Sequence, residues 1–217
     1  MSELVLFVGN KNYSSWSLRP YLALAQTGAP FRTETIPLDL PQSKQQLLAK
    51  NPAGKVPVLY VGDHAIWDSL AICEYLAETY PAAKLWPADA RARARARSIS
   101  AEMHSGFPSL RAAMPMNLRM KKPGKGHTPE AMADAARIQQ IWDGALTASG
   151  GPFLFGHFTV ADAMFAPVTT RFTTYAVPLA PKLAAYVDAV AALPAFKTWY
   201  ADAVQETFEM AYDQMYV

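Results

Sequence analysis

Three serines follow a short apolar run near the start of the chain, where their hydroxyls could act on a bound ligand. The run Leu4–Val8, LVLFV, is typical of a buried strand, and apolar side chains at helical spacing follow Ser14, Ser15 and Ser17. A serine between a strand and a helix usually caps the helix. Its hydroxyl can instead donate a hydrogen bond to a bound thiolate, which lowers the thiol pKa from roughly 8.5. Because the loop has no histidine or aspartate, a hydrolase triad is weakly supported.

A proline directly before a predicted strand is the second candidate. Pro57 precedes the apolar run Val58–Tyr60 and cannot donate a ladder hydrogen bond. A trans bond is the commoner form at such a position. A cis bond would turn the backbone of Val56 outward, where its N–H and C=O could pair with an extended, peptide-like ligand.

An aspartate and a serine open the next helical pattern. Asp68 and Ser69 would most often cap that helix. The N–H groups of a helix N-terminus also attract a carboxylate, and a neighbouring aspartate can pair with an ammonium group. The two residues could therefore hold the α-amino acid end of a ligand.

These candidates lie in the first of two differently built parts of the chain. Up to about residue 80 the patterns predict a strand, a helix, a strand, a short connector, two strands and a helix. Beyond the proline-containing stretch 81–89, strand patterns almost vanish and helices follow one another, with a bend or break at Pro108. We predict an α/β domain over 1–80, a linker over 81–89 and an all-α domain over 90–217.

The composition is that of an ordinary soluble globular protein. Of 217 residues, 51% are hydrophobic and 18% are charged, with a formal net charge of +2. This charge gives little reason to expect nucleic acid as a partner, and the absence of a signal peptide or a long apolar run argues against a membrane. Cys73, the single cysteine, excludes an internal disulfide and favours the cytoplasm. Four arginines would point to alternate sides of a helix, which favours a solvated face or a subunit contact: Arg91, Arg93, Arg95 and Arg97.

The order of elements, with Val-Pro before the third strand and Asp-Ser at the last helix of the first domain, resembles the cytosolic glutathione transferases over almost the whole chain. The resemblance implies a thioredoxin-like domain that binds glutathione as co-substrate, no metal, and a homodimer. It implies that Val56, before a cis Pro57, pairs with the cysteinyl backbone of glutathione, and that Asp68 and Ser69 bind its γ-glutamyl end. Two more residues stand where family members often contact the glycyl carboxylate or neighbouring backbone: Gln42 and Lys55.

The serine loop is similar to that of the serine-type classes, especially the zeta class. The zeta pattern S-S-C-x-x-R compares with SSWSLR, in which Ser14 would activate the thiol and Ser15 is the second choice. Trp16 replaces the cysteine that matters for the maleylacetoacetate isomerase reaction, which weakens the isomerase interpretation. We expect Arg19 to anchor the loop or an interface.

The second substrate is expected between the two domains, against the long helix that begins near Ala90. Adaptable methionine side chains suit a pocket for apolar electrophiles, although Met and Phe at helical spacing are more often core residues. Thr159 and Asp162 form an S/T-x-x-D capping box, to which we assign a folding role. The candidates for the pocket are Tyr13, Met103, His104, Phe107 and Arg111.

The sequence thus predicts a glutathione transferase whose thiolate attacks an electrophilic, mostly apolar substrate. An alternative is a ligand carrier or regulatory protein that keeps the fold with little turnover, and another is a maleylacetoacetate isomerase-like enzyme. A regulatory protein that contacts RNA would be recognised by salt-dependent binding to nucleic acid.

Overall fold

The computed structural model describes residues 3–216, apart from the side chain of Tyr212. The strands are β1 (Leu4–Val8), β2 (Arg32–Thr35), β3 (Val58–Val61) and β4 (His64–Trp67). They form one mixed sheet in the order β2-β1-β3-β4. β1 is parallel to β2 and antiparallel to β3, and β3 is antiparallel to β4.

Among the described residues, three helices belong to the part of the chain that contains the sheet, and six more follow it. The first three are α1 (Ser15–Gln26), α2 (Ser43–Leu48) and α3 (Ser69–Thr79). The others are α4 (Ala90–Ser105), α5 (Pro108–Ala113), α6 (Pro129–Ser149), α7 (Val160–Tyr175), α8 (Pro181–Ala192) and α9 (Pro194–Gln205), with short 3-10 turns at Pro81–Ala83 and Ala211–Gln214. This arrangement confirms the predicted fold class, a thioredoxin-like α/β domain followed by an all-α domain, while the exact domain boundaries remain a prediction.

β1 is apolar at every position because both faces of the sheet are covered. Leu6 and Val8 belong to the main core with α1 and α3. Val5 and Phe7 point to the opposite face, where they join a smaller cluster that contains Leu47 of α2. The C-terminal end of β1 is thereby fixed on both faces, and the serine loop leaves the sheet from this end.

The alternating run 31–38, FRTETIPL, predicts the second strand, and β2 is shorter than this run. After β2, Ile36 N–H still donates to the carbonyl of Val8 at 2.8 Å. Pro37 follows, and a proline has no N–H with which to extend the pairing.

The predicted break at Pro108 is confirmed. α4 ends at Ser105, Phe107 has a φ of +62°, and Pro108 is the first residue of α5. The left-handed conformation of Phe107 interrupts the helical path, and the proline restarts it at the position where its missing N–H costs nothing.

The capping box is confirmed at the start of α7, the buried helix that packs against α1 and α4. Asp162 accepts hydrogen bonds from the N–H of Leu154 at 3.0 Å and the N–H of Thr159 at 2.8 Å, and the Thr159 hydroxyl donates to it at 3.0 Å. Complete burial raises the pKa of Asp162 to about 6, although these bonds act in the opposite direction. Within residues 3–216, no helix combines the length and the apolarity that crossing a membrane requires.

Candidate functional site

A cleft of about 960 Å³ lies where the sheet-containing part meets the helices of the second part. Its walls come from the loop after β1, the segment before β3, the start of α3, and residues of α4, α5 and α7. A cleft between two structural units is a common place for a small-molecule site. The structure brings these predicted residues to it: Tyr13, Ser14, Ser15, Lys55, Val56, Pro57, Asp68, Ser69, His104 and Arg111.

Three predicted residues do not line this cleft. Gln42 is exposed at the N-cap of α2, and its side chain caps nothing. Met103 is fully buried, and Phe107, whose positive φ ends the path of α4, is nearly so; both belong to the main core. The adaptable methionine surface predicted for the cleft is supplied instead by Met116 and Met210.

The Ser14 hydroxyl does not serve as a helix cap. Ser14 is the N-cap of α1, but its side chain accepts no hydrogen bond from the first turn. Its Oγ lies 2.7 Å from the Oγ of Ser17 in a hydrogen bond between the two hydroxyls, and Ser17 Oγ also accepts from Gly9 N–H at 3.1 Å. Ser15 Oγ has no hydrogen-bond partner in the part of the chain that the structure describes. Both candidate hydroxyls at the cleft wall are therefore free of the capping role.

Contacts across the two halves fix the loop that carries Ser14. Asn12 Oδ1 accepts from the N–H groups of Leu118 at 2.8 Å and Arg119 at 3.0 Å, and its amide donates to Asn117 at 3.1 Å. Tyr13 lines the cleft but donates its hydroxyl to Asp213, and burial together with that carboxylate raises its pKa. Sequence reasoning missed these anchors because the partners are 105 to 200 residues apart.

The peptide bond between Val56 and Pro57 is cis, the form that the resemblance implies. Neither the N–H nor the C=O of Val56 has a hydrogen-bond partner within residues 3–216. The preceding turn is held by the Asn51 amide, which donates to the carbonyl of Lys55 at 2.9 Å. An unpaired backbone edge thus borders the cleft.

Asp68 both caps α3 and reaches the second half of the chain. Its Oδ1 accepts from the N–H groups of Leu70 at 2.8 Å and Ala71 at 3.3 Å, and its Oδ2 lies 3.3 Å from Nε2 of His104. Burial lowers the pKa of His104, although Asp68 acts in the opposite direction. Ser69 Oγ is buried at the cleft wall and has no partner among the described residues. A buried hydroxyl without a partner is uncommon and marks a place where a ligand could bind.

Trp16 stands where the resemblance placed a cysteine, and its ring is flanked by cations. The Arg19 guanidinium lies 4.4 Å from the ring centroid and that of Arg111 lies 5.0 Å from it, while the His104 ring meets it edge to face at 5.2 Å. Arg19 is fully buried, and its guanidinium nitrogens have no hydrogen-bond partner within residues 3–216. Burial, reinforced by repulsion from Arg111 and Arg171, lowers the pKa of Arg19 well below its usual range. The stacking is worth roughly 2 kcal/mol or more where the cation is desolvated.

The second wall of the cleft carries two arginines. Arg111 donates from Nε to the carbonyl of Gly106 at 3.0 Å, and Arg171 donates from Nε to the carbonyl of Met114 at 2.9 Å. The acidic residues that line the cleft are Asp39 and Asp68, whereas the basic ones are Lys44, Lys55, Arg111 and Arg171. The lining therefore has a formal charge of +2, the same as that of all 217 residues together. Sequence reasoning missed Arg171, which lies inside the largely buried helix α7. The described residues contain no cluster of metal-ligating side chains.

Comparisons with known proteins agree with this architecture. The chain matches the models of the glutathione S-transferase N-terminal domain over residues 13–79 and of the C-terminal domain over residues 126–202. It is 30% identical to a Caenorhabditis elegans protein described as "probable maleylacetoacetate isomerase", covering 94% of this chain and 95% of that protein. A glutathione transferase homologue from Burkholderia, solved with bound glutathione, is 27% identical with a TM-score of 0.71, covering 94% of this chain and 98% of the other. A bacterial maleyl pyruvate isomerase described as zeta class is 25% identical with a TM-score of 0.73, covering 94% and 100%.

Proposed function

Because this chain belongs to the glutathione S-transferase family, we propose that it binds glutathione in the cleft and that Ser14 stabilises the thiolate. The observation that carries the proposal is the Ser14 hydroxyl, which borders the cleft at a helix N-terminus without capping it. A hydrogen bond donated to the charged sulfur favours the thiolate over the thiol and lowers the thiol pKa.

The rest of the cleft fits the other parts of glutathione. The free N–H and C=O of Val56 would pair with the cysteinyl backbone, as in other extended peptides bound at a sheet edge. The N-terminus of α3 with Ser69 would receive the γ-glutamyl carboxylate, and Asp68 would receive the ammonium group. Lys55 and Lys44, which also line the cleft, would pair with the glycyl carboxylate. The Burkholderia relative, which was solved with bound glutathione, supports glutathione as the ligand.

In the proposed reaction the thiol proton leaves to solvent and the Ser14 O–H donates to the sulfur that remains. The sulfur lone pair then forms a C–S bond with an electrophilic carbon, and the displaced group leaves with the bonding electron pair. Ser14 therefore acts on the nucleophile before the attack and takes no covalent part. The chain's task is to hold the thiolate and the electrophile in contact.

The second substrate is proposed to carry an anionic group on an otherwise apolar body. Pro115, Met116 and Met210 supply apolar surface, and Arg111 and Arg171 supply the positive charge. A guanidinium binds a carboxylate through paired, charge-assisted hydrogen bonds. This proposal adds an anionic group to the mostly apolar substrate expected from the sequence.

Arg111→Leu is expected to lower kcat/KM about 10-fold for 4-chloro-3-nitrobenzoate, because one charge-assisted hydrogen bond is lost. The rate with 1-chloro-2,4-dinitrobenzene, which has no carboxylate, should change much less. Arg91→Leu removes an exposed arginine of α4 and serves as the matched control. An equal loss with both electrophiles would contradict the proposed carboxylate contact.

Isomerisation is the second candidate function. The pair Arg111 and Arg171 could hold two carboxylates, and two relatives have isomerase names. Trp16 occupies the position of the zeta-class cysteine, so the thiolate of glutathione itself would have to add to the double bond and leave again. Rates of glutathione-dependent isomerisation of maleylacetoacetate and of conjugation, measured on the same protein, distinguish the isomerase function from the transferase function.

Two further properties belong to this proposal, a homodimer and a cytoplasmic location. Native mass measurement tests the first. The second rests on the single cysteine, Cys73, which leaves the chain without an internal disulfide.

The test of the function is the ionisation of bound glutathione, followed by ultraviolet absorbance of the thiolate across pH. S-methylglutathione, which binds without a thiol, supplies the baseline. The bound thiol should ionise about one to two pH units below the free thiol. Absence of binding would overturn the proposal, and binding with an unshifted thiol pKa would identify a carrier.

A further inference from the structure

We propose that Ser17 is a positioning residue that acts through Ser14, orienting and polarising the Ser14 hydroxyl toward the thiolate. This inference rests on the proposed function, because it concerns the same thiolate. It assigns a role to the third serine of the loop, which the resemblance to the family leaves without one.

The geometry places Ser17 behind Ser14 and away from solvent. The two residues are three apart at the first turn of α1, so their side chains lie on one face of the helix. Ser17 is 0% exposed, whereas Ser14 borders the cleft. The Ser17 hydroxyl therefore reaches a ligand only through Ser14.

Gly9 holds the Ser17 oxygen from the side of the sheet. Its N–H donates to Ser17 Oγ at 3.1 Å, which uses an acceptor site of that oxygen and leaves its hydrogen free. A Cβ at Gly9 would stand 3.1 Å from the Ser14 Cβ and 2.8 Å from the Leu38 Cδ1, so the backbone there is packed closely against the serine loop. The end of β1 thus holds Ser17 in place.

The number of hydroxyl hydrogens determines in which direction these hydrogen bonds can run. In the structure the Ser14 O–H donates to Ser17 Oγ at 2.7 Å. Each hydroxyl has one hydrogen, and this contact needs only one of the two. Within residues 3–216, the Ser17 hydrogen has no other acceptor, whereas the Ser14 hydrogen can turn to a ligand in the cleft. When a bound thiolate accepts the Ser14 hydrogen, the bond between the two hydroxyls reverses. The bonds then run from Gly9 N–H to Ser17, from Ser17 to Ser14, and from Ser14 to the sulfur.

In this series of three hydrogen bonds, every donor points toward the negative charge. Consecutive hydrogen bonds of one direction strengthen each other, by about 10–30% per bond. The bond from Ser17 also occupies an acceptor site of Ser14 and so limits the directions that its hydrogen can take. Both effects favour the thiolate without any contact between Ser17 and the substrate.

The experiment measures the thiol pKa of bound glutathione in Ser17→Ala, Ser17→Cys and Ser17→Thr. Alanine removes the hydroxyl, cysteine keeps similar volume with a weak donor, and threonine keeps the O–H. Ser100→Ala is the matched control, because Ser100 is a fully buried serine of α4 outside the cleft lining. S-methylglutathione binding is measured for each variant to report on the fold of the site.

The thiol pKa should rise by about 0.3 to 0.5 unit in the alanine and cysteine variants. It should stay at the native value in the threonine variant and in Ser100→Ala, with S-methylglutathione affinity unchanged throughout. An unchanged pKa in Ser17→Ala and Ser17→Cys would overturn the inference, and so would a loss of S-methylglutathione affinity with no change of pKa. If the alanine variant does not fold, the cysteine variant decides.

The outcome for Ser14→Ala separates this inference from the proposed function. If that variant abolishes the pKa shift and the Ser17 variants keep it, the function stands and only the role of Ser17 is wrong. If Ser14→Ala itself leaves the thiol pKa unchanged, both the thiolate mechanism and the relay through Ser17 are wrong.

Discussion

Ser14→Ala is expected to lower kcat/KM for conjugation of 1-chloro-2,4-dinitrobenzene about 10- to 100-fold at neutral pH. The variant removes a hydrogen bond to a charged sulfur, and such bonds contribute about 1.5–3 kcal/mol. Because the stabilised form is the thiolate, the loss should appear as a higher thiol pKa, with little change in the affinity for S-methylglutathione. Stopped-flow and steady-state rates across pH measure both quantities.

The rate defect of Ser14→Ala should depend on pH in one direction. Below the native thiol pKa both proteins hold mostly thiol, and between the two pKa values only the native protein holds thiolate. Above the pKa of the variant both hold thiolate, so the defect should shrink as pH rises. A defect of equal size at every pH would point to misplacement of glutathione instead of loss of thiolate stabilisation.

Ser15→Ala is the matched control, since Ser15 also borders the cleft and lacks a hydrogen-bond partner among the described residues. It should keep most of the native rate. If kcat/KM falls in Ser15→Ala and not in Ser14→Ala, Ser15 is the residue that donates to the thiolate.

Asp162→Ala is expected to reduce the free energy of unfolding by about 3 kcal/mol or more. The carboxylate is 0% exposed, and its removal leaves the N–H groups of Leu154 and Thr159 buried without an acceptor. Each buried donor left unsatisfied costs about 1–3 kcal/mol, and the lost cap adds about 1 kcal/mol. Urea unfolding followed by tryptophan fluorescence and circular dichroism measures the change.

The control for this prediction is Asp188→Ala, which removes an exposed aspartate from α8. An exposed substitution of this kind should change the free energy of unfolding by about 0.5 kcal/mol or less. A similarly small effect of Asp162→Ala would mean that α7 starts equally well without its capping box. In that case the box does not stabilise the helix against which α1 and α4 pack.

The elements of the fold could be predicted because their signals are local. Apolar periodicity, Pro108 and the Thr159–Asp162 box each act over a few residues, and the structure has the corresponding elements. The strand β2 ended earlier than predicted because Pro37 removes a donor, which is also a local effect. For the same reason the loop with Ser14 and the dipeptide Val56-Pro57 could be recognised from the sequence.

The composition of the second wall could not be predicted in this way. Met103 and Phe107 are predicted to line the cleft, but both lie in the core. Met103 is on the buried face of α4, and Phe107 follows the end of that helix. Arg171 reaches the cleft from α7, a helix that is buried along almost its whole length. A helical pattern shows that a stripe is apolar but does not show which neighbour will cover it.

The sequence by itself determined the two kinds of domain, the helix starts and the serine loop, because hydrophobic periodicity, proline and caps act between residues close in the chain. Only the tertiary structure decided that Asn12 meets Asn117, that Tyr13 meets Asp213, and that Arg111 stands beside Trp16. These contacts join residues about 100 to 200 positions apart in the first two cases. Side-chain pairs of this kind form only when the serine loop and α1 pack against α5, the segment after it and the turn Ala211–Gln214. This packing depends on the whole core at once.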